Sequence, residues 1–490
     1  MKRLKINLVV PYKQIFPPLG LVYPHLGLCY LSAYLKKHLP GRLEINYIGF
    51  HPLEFGILRR IIGNRPDVVG FTSDTANINL IFEIARRIKR VRDVPLLLGG
   101  PHITSLSQGL SSHIDIGIIG EGEETFLELI KIFLGNKRFD ADLLYNVNGI
   151  CFHRDSQVCV TAPRQEIKDI DSLPYPDRAI LKLGNRLNLP YLFYPAEKER
   201  GTSLITSRGC PYNCVFCQTR LRWKTVRYNS AQYIAGEIES LRKIYPRLNI
   251  IGIVDDLFLI SKPRLEEFVE LIKKKGLEKG IAFNINAKAE IISEDILKLL
   301  RMINVVEIGL GFESASERVL GFLKNNTVTV KDNQAACSLA NKFGIKVNGQ
   351  FIFGTPGETR QDMEATIDFI KRNRFSHINV SVATPLPGTR LWQVAKEQGA
   401  VKDGEETNWN NFSLAYDTPG NNIYINQDVP RADFFKLMQE VKKLRAGINR
   451  PVSLWHYGAY GILLRAAHKL KRIISDSKTI FLRSSRLTHG

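Results

Sequence analysis

Two long stretches of the chain repeat one pattern, a short apolar segment followed by an amphipathic helix. Within residues 1–140 the apolar segments are 6–10, 44–48, 68–72, 95–98 and 116–119, with helical periodicity clear at 26–38, 78–91 and 124–134. Short apolar strands alternating with helices are covered on both faces, so they predict a doubly wound parallel sheet of the flavodoxin (Rossmann) type. The pattern resumes at 202–396, with strands expected at 203–207, 250–254, 282–286, 305–309, 347–353 and 378–384. Six such units predict an open, partial (β/α)6 barrel. Ligands of both architectures sit beyond the carboxyl ends of the strands.

The remaining segments set the domain plan. A hairpin is expected from 147–153 and 157–162, turning at Asp155-Ser156, and a proline-bearing connector follows at 170–177. The plan is a first domain at 1–140, a linker with a hairpin at 141–200, a barrel at 201–400 and a basic, helix-containing region at 401–490. A 44% hydrophobic and 24% charged composition is globular. No uninterrupted apolar run reaches about 18 residues, so no transmembrane helix is expected. The N-terminal basic and apolar residues read as a strand rather than a signal peptide, because the apolar part is short and ends at Pro11. Cys29, Cys151, Cys159 and Cys337 show no disulfide spacing, which points to a reducing cytoplasm.

The net charge is +20, and residues 431–490 hold half of it, with 13 Lys/Arg against 3 Asp/Glu. Trp409, Phe412, Tyr416 and Tyr424 are expected to cap the barrel mouth. A basic amphipathic helix is expected at 432–446. The aromatic and basic stretch 455–475 suits either peripheral contact with an anionic membrane or docking on the barrel.

The chemistry centres on Thr206-Ser-Arg-Gly-Cys-Pro-Tyr-Asn-Cys-Val-Phe-Cys-Gln218, where Cys210, Cys214 and Cys217 stand in C-x3-C-x2-C spacing. An iron–sulfur cube usually takes four thiolates, so three leave one iron open to a substrate or cofactor. Zinc usually takes four ligands, often from two paired motifs, and no second Cys/His pair lies nearby. Unpaired structural cysteines are the other alternative.

This stretch, with Phe216 before the last cysteine, resembles the radical S-adenosylmethionine (radical SAM) enzymes. The resemblance implies a [4Fe-4S] cluster on the three cysteines whose open iron chelates SAM, and reductive cleavage of SAM to a 5′-deoxyadenosyl radical. It also implies anaerobic chemistry and an external electron donor such as flavodoxin or ferredoxin. By the same resemblance, Asp255 and Asp256 after the second strand receive the SAM amino group, although an aspartate there also serves as a helix N-cap. Asn286, Lys288 and Glu313 face its ribose or carboxylate, with a Lys or Arg ion pair as the alternative for Glu313. The loops 354–359 and 384–389 also match the family.

The first domain resembles the cobalamin-binding domains fused to radical SAM enzymes. The matching pieces are Pro17-Pro-Leu-Gly-Leu21, Asp67-Val-Val-Gly-Phe-Thr-Ser73, Gly99-Gly-Pro-His-Ile-Thr104 and Gly120-Glu-Gly-Glu-Glu-Thr125. The implied cobalamin contacts are Leu19, Gly20, Thr72, Ser73, Gly99, Gly100, His102, Thr104, Gly120, Glu121 and Gly122. The Asp-x-His-x-x-Gly motif that supplies a lower cobalt ligand is absent. His25 and His102 read first as loop or capping residues, which leaves the lower face of cobalt open or water-bound.

Together these imply a cobalamin-dependent radical SAM methyltransferase acting on an unactivated carbon of a small-molecule or lipid substrate. Oxidative cyclisation or rearrangement without methyl transfer is the alternative within the family. A non-enzymatic iron–sulfur redox or nucleic-acid-binding protein is the third reading, and the ordered SAM-site motifs argue against it, so no nucleic-acid partner is expected.

Overall fold

The computed structural model describes residues 3–11, 25–49, 54–181, 200–402, 407–412 and 423–449. Leu19, Gly20, Tyr416 and the stretch 455–475 lie outside the described residues. The first unit alternates β1 (Leu4–Val9), α1 (Leu26–His38), β2 (Leu43–Ile48), α2 (Glu54–Gly63), β3 (Val68–Thr72), α3 (Ile78–Val91) and β4 (Leu96–Gly99). It continues through the short α4 (Pro101–Ser105), β5 (Ile116–Ile118) and α5 (Gly122–Asn136). The order β2-β1-β3-β4-β5 is all parallel, as the alternation predicts. Ile81, Ile84 and Ile88 of α3 bury one face of the sheet, and Leu28, Leu129 and Ile130 of α1 and α5 bury the other.

The hairpin β6 (Ile150–Arg154) and β7 (Gln157–Val160) turns at Asp155-Ser156, both with positive φ. It does not stand apart in a linker. β6 pairs antiparallel with β5, so the hairpin extends the first sheet to seven strands.

The second sheet runs β8 (Gly201–Leu204), β11 (Ile250–Ile253), β12 (Ala282–Ala287), β13 (Val305–Glu313), β14 (Lys346–Phe353) and β15 (His377–Val382), all parallel and in that spatial order. Its helices are α6 (Ala231–Ile244), α7 (Lys262–Lys274), α8 (Glu294–Met302), α9 (Glu317–Lys324), α10 (Val330–Lys342), α11 (Arg360–Arg372) and α12 (Arg390–Glu397). A two-stranded ribbon of β9 (Ser207–Arg208) and β10 (Arg227–Tyr228) frames the cysteine loop. Thr329 and Thr359 form capping boxes with Asp332 and Asp362, which fixes where α10 and α11 begin.

The two units share a core. Val319 and Leu323 of α9, Leu391 and Trp392 of α12, Trp409 and Phe412 join the α3 face of the first sheet. Trp409 stacks on Trp392 at 5.8 Å and meets the His102 ring edge-on at 4.8 Å. Trp409 and Phe412 therefore form a wedge between the units and do not cap the barrel mouth. Their large apolar area outweighs any gain from leaving them at a wet opening. Tyr424 packs on Phe434 at 4.9 Å.

The basic helix expected at 432–446 is α13 (Arg431–Ile448), which lies beside β15. Its C-cap Asn449 accepts from the Ile378 amide (2.8 Å) and donates to the Ile378 carbonyl (2.9 Å), so one side chain pairs an open strand edge. Among the described residues no helix is long and apolar enough to cross a membrane. Replacing Asn449→Ala strands both backbone groups and should lower the urea-unfolding free energy by about 1–3 kcal/mol. Asn449→Asp, which keeps only the acceptor, should fall between that variant and the parent.

Candidate active site

The cysteine loop begins at Gly209, whose φ is +96° and where a Cβ would lie 2.7 Å from the Thr225 carbonyl oxygen. Only glycine fits that turn. Cys210, Cys214 and Cys217 are half-buried free thiols. Burial raises the Cys210 pKa and lifts Cys214 to about 11, with Lys324 working in the opposite direction on Cys214. The Thr219 amide points at Cys217 Sγ at 3.4 Å. Val215, between the second and third cysteines, donates to the Leu323 carbonyl (3.0 Å) and accepts from the Leu391 amide (3.1 Å). The loop is thereby pinned between the end of α9 and the start of α12.

The strand ends converge on this loop in a way the motif alone does not specify. Asp255 borders the cavity between the units, its carboxylate is engaged within the protein, and it does not cap α7, whose N-cap is Ser261. Its oxygens accept from the Thr206 amide (2.6 Å), the Thr206 hydroxyl (2.5 Å) and the Ser207 hydroxyl (2.7 Å). Burial raises its pKa, and these hydrogen bonds work against that. Asp256 instead accepts from the Thr219 hydroxyl at 3.0 Å, just after Cys217.

Asn286 lies over Gly309, where a Cβ would stand 2.3 Å from its Oδ1. Lys288 Nζ pairs with Glu290 (2.7 Å), donates to the Thr327 hydroxyl (2.6 Å) and sits 3.4 Å from the Tyr212 ring centre. Glu313 is the last residue of β13, buried, at φ +57°. A non-glycine left-handed residue is strained and often marks a functional site. Lys324 Nζ pairs with the Glu313 carboxylate at 2.8 Å. Lys324 Nζ also stands 5.7 Å from the Phe216 ring centre. Burial pulls the Lys324 pKa down, but Glu313 and Cys214 more than offset it and keep the ammonium charged.

A cavity of about 340 Å³ opens between the ends of the first sheet and the segments flanking the cysteine loop. Thr72, Gly99, Gly100, Thr104, Gly120, Glu121 and Gly122 border it on one side, and Ser207, Arg208, Trp223 and Asp256 on the other. Gly100, at φ +104°, brings its backbone so close to Ser73 that a Cβ would meet the Ser73 oxygen at 2.4 Å. The Thr104 hydroxyl accepts from the Gly120 amide at 3.1 Å and ties the two glycine loops together.

Two of the expected cobalamin contacts within the described residues do not border the cavity. Ser73 is buried, with its hydroxyl donating to the Gly99 carbonyl at 3.1 Å. His102 turns away, with Nδ1 3.3 Å from the Thr75 hydroxyl and its ring against Trp409. His25 does border the cavity, and its Nδ1 accepts from the Leu28 amide as the α1 N-cap.

Residues 204–370 match the radical SAM superfamily, and residues 15–130 match the B12 binding domain. An uncharacterized methyltransferase of Pyrococcus horikoshii is 31% identical over 408 residues, covering 81% of this chain and 84% of that protein. The chain belongs to the radical SAM superfamily, in the branch with an N-terminal B12-binding domain. This radical SAM enzyme is also 28% identical over 397 residues to the anaerobic magnesium-protoporphyrin IX monomethyl ester cyclase of Rubrivivax gelatinosus, covering 79% of this chain and 69% of the relative. Its fold matches that of the radical S-adenosylmethionine methyltransferase TsrM from Kitasatospora setae, with a TM-score of 0.69 at 17% identity over 97% of this chain and 100% of TsrM.

Sequence reasoning missed Lys324, Tyr212, Arg208 and Arg227 in this enzyme. Lys324 ends a different element from its partner, and no local period links the two. Arg208, a cation two residues before Cys210, was the one visible hint.

Burial holds the His102 pKa at about 4 in the folded protein. The folded ring is neutral, so its contribution is complete above pH 6.5 and is lost as pH falls from 6.5 towards 4, where only the unfolded state takes up the proton. Urea titrations of wild type and His102→Phe should diverge over this window. The wild type should lose up to about 1.4 kcal/mol per pH unit more than the variant.

Proposed function

We propose that this enzyme is a cobalamin-dependent radical SAM methyltransferase acting on an unactivated carbon of a small-molecule substrate. The observation that carries the proposal is the shared cavity. The glycine-lined ends of the first sheet and the residues just before Cys210 border the same space, so a ligand of one unit would face a ligand of the other.

The residues fit the groups this reading requires. Among the described residues no cluster of Cys, His, Asp or Glu could hold a single metal ion. A cube spreads its thiolates over separate irons, which suits the three half-buried cysteines. The cavity is lined by Gly70, by the apolar Leu8, Leu97 and Phe126, and by Thr72 and Thr104. That is a slot for a flat, bulky group with a polar tail, as cobalamin is. When bound, the cluster with SAM supplies a 5′-deoxyadenosyl radical, and cobalamin supplies a methyl group.

The chain's own residues then have these roles. Cys210, Cys214 and Cys217 hold the cluster. Asp256 is placed to receive an ammonium, with Asp255 bracing the strand beneath it. Glu313 is placed to accept from ribose hydroxyls, Lys324 to neutralise a carboxylate, and Asn286 to hydrogen-bond beside them. His102 is turned to Trp409 and His25 is engaged as a cap, so neither of these two would supply an imidazole to a bound cobalamin. An external one-electron donor completes the cycle.

Oxidative cyclisation is the second reading, favoured by the similarity to the Rubrivivax cyclase. Protein purified anaerobically from cells supplied with cobalamin should carry the vitamin and about four irons per chain. With dithionite and SAM it should release 5′-deoxyadenosine. Cys210→Ala, Cys214→Ala and Cys217→Ala should each abolish this. Absence of deoxyadenosine from the iron-loaded parent would overturn the radical SAM assignment of activity. With substrate, S-adenosylhomocysteine in step with product marks methyl transfer, and its absence marks cyclisation.

A further inference from the structure

Among the described residues, a buried group of charged side chains lies between the two units. Arg208 donates to Glu121 Oε1 at 2.5 Å and to Glu123 Oε1 at 2.6 Å. Its guanidinium lies between the Tyr30 and Trp223 rings, 5.6 Å from each ring centre. The other Glu121 oxygen takes Arg227 at 2.8 Å and the Ile167 amide at 2.7 Å. Arg208 and Arg227 face each other across the β9–β10 ribbon. The side chains of Arg208, Arg227, Glu121 and Glu123 are at most 10% exposed.

We infer that Arg208 is a positioning residue that holds the B12-binding face against the cysteine loop in one register. Glu121 and Glu123 belong to the turn into α5, which borders the cavity. Arg208 stands two residues before Cys210 and borders the same cavity from the opposite side. Glu121 and Glu123 meet Arg208 and Arg227 in the buried group, and Glu166 stands 3.9 Å from Arg227 on its more exposed side. A sliding of either unit would leave charges buried without partners, which is far costlier than breaking a solvated pair. The planar fork of arginine fixes direction as well as distance, which the ammonium of lysine cannot do. The apolar wedge at Trp409 lacks that directional control, since area burial alone tolerates small shifts. The functional consequence rests on the reading that the cavity holds cobalamin. The clamp itself does not.

The test uses full-length protein with cluster and cobalamin, as wild type, Arg208→Gln, Arg208→Lys and Glu123→Gln. Hydrogen exchange is followed by mass spectrometry at 116–126 and 206–218. Glu123→Gln changes only the first unit, yet exchange should accelerate in both segments, more than about tenfold for a broken buried pair. Arg208→Gln should do the same, and Arg208→Lys should be intermediate. The distance between cob(II)alamin and the reduced cluster is then measured by pulsed dipolar electron paramagnetic resonance. Wild type should give one narrow distribution. Glu123→Gln and Arg208→Gln should broaden it while iron and cobalamin contents stay at wild-type levels, a result that simple destabilisation does not produce.

The inference is overturned if Glu123→Gln alters exchange only at 116–126, or if the distribution stays narrow in the variants. Should Arg208→Gln fail to fold, Glu123→Gln still decides. If wild type retains no cobalamin, the proposed function fails on that count, and the exchange data alone decide the clamp.

Discussion

Val215 lies in the middle of a loop that must present three sulfurs, so its backbone cannot join a sheet. It is buried, and a buried amide and carbonyl must find partners. They find them in Leu323 at the end of α9 and Leu391 at the start of α12. Those two helices also belong to the core shared with α3 of the first unit. One requirement of backbone hydrogen bonding thus makes the cysteine loop, the far side of the barrel and the B12-binding unit a single body. It also brings Lys324, the residue after Leu323, to Glu313 and Phe216.

The two units are joined by contacts of different physical kinds. The wedge of Trp392, Trp409 and Phe412 contributes apolar area, which resists separation but hardly distinguishes one small displacement from another. The glutamate–arginine group at the opposite side of the cysteine loop is directional, and its desolvated charges penalise misregister. Cofactors that must meet at a fixed separation need both, because area supplies cohesion and paired charges supply register.

Much of the architecture was legible along the chain. Five alternating segments gave the parallel order of the first sheet, and six more gave the open barrel, because period and length are local properties. The hairpin at 150–160 was legible as a hairpin, but its pairing with β5 was not, since strand partners are chosen by the edge available. Glu313 was expected beyond a strand ending near residue 309. In fact β13 runs on through a register shift to a residue with positive φ. Such strain persists only where surrounding structure imposes it. Asp255 and Asp256 look equivalent in sequence, yet just past the end of β11 they take different partners. One braces Thr206 and Ser207, and the other reaches Thr219.

The sequence by itself determined which atoms the proposed chemistry would use. It named three thiolates in the spacing of a cube with an open iron and glycines at strand ends where a bulky ligand can approach. Those properties depend on residue type and near neighbours alone. Only the tertiary structure decided which side chains face the site. His102 went to the wedge, while Asp255 and Glu121, both at the cavity, are engaged by Thr206 and Ser207 and by an arginine pair. Lys324 was recruited from a helix with no sequence tie to its partner. The physical reason is that burial penalises a charge or polar group left without a partner. The partners that satisfy it come from wherever the fold places them.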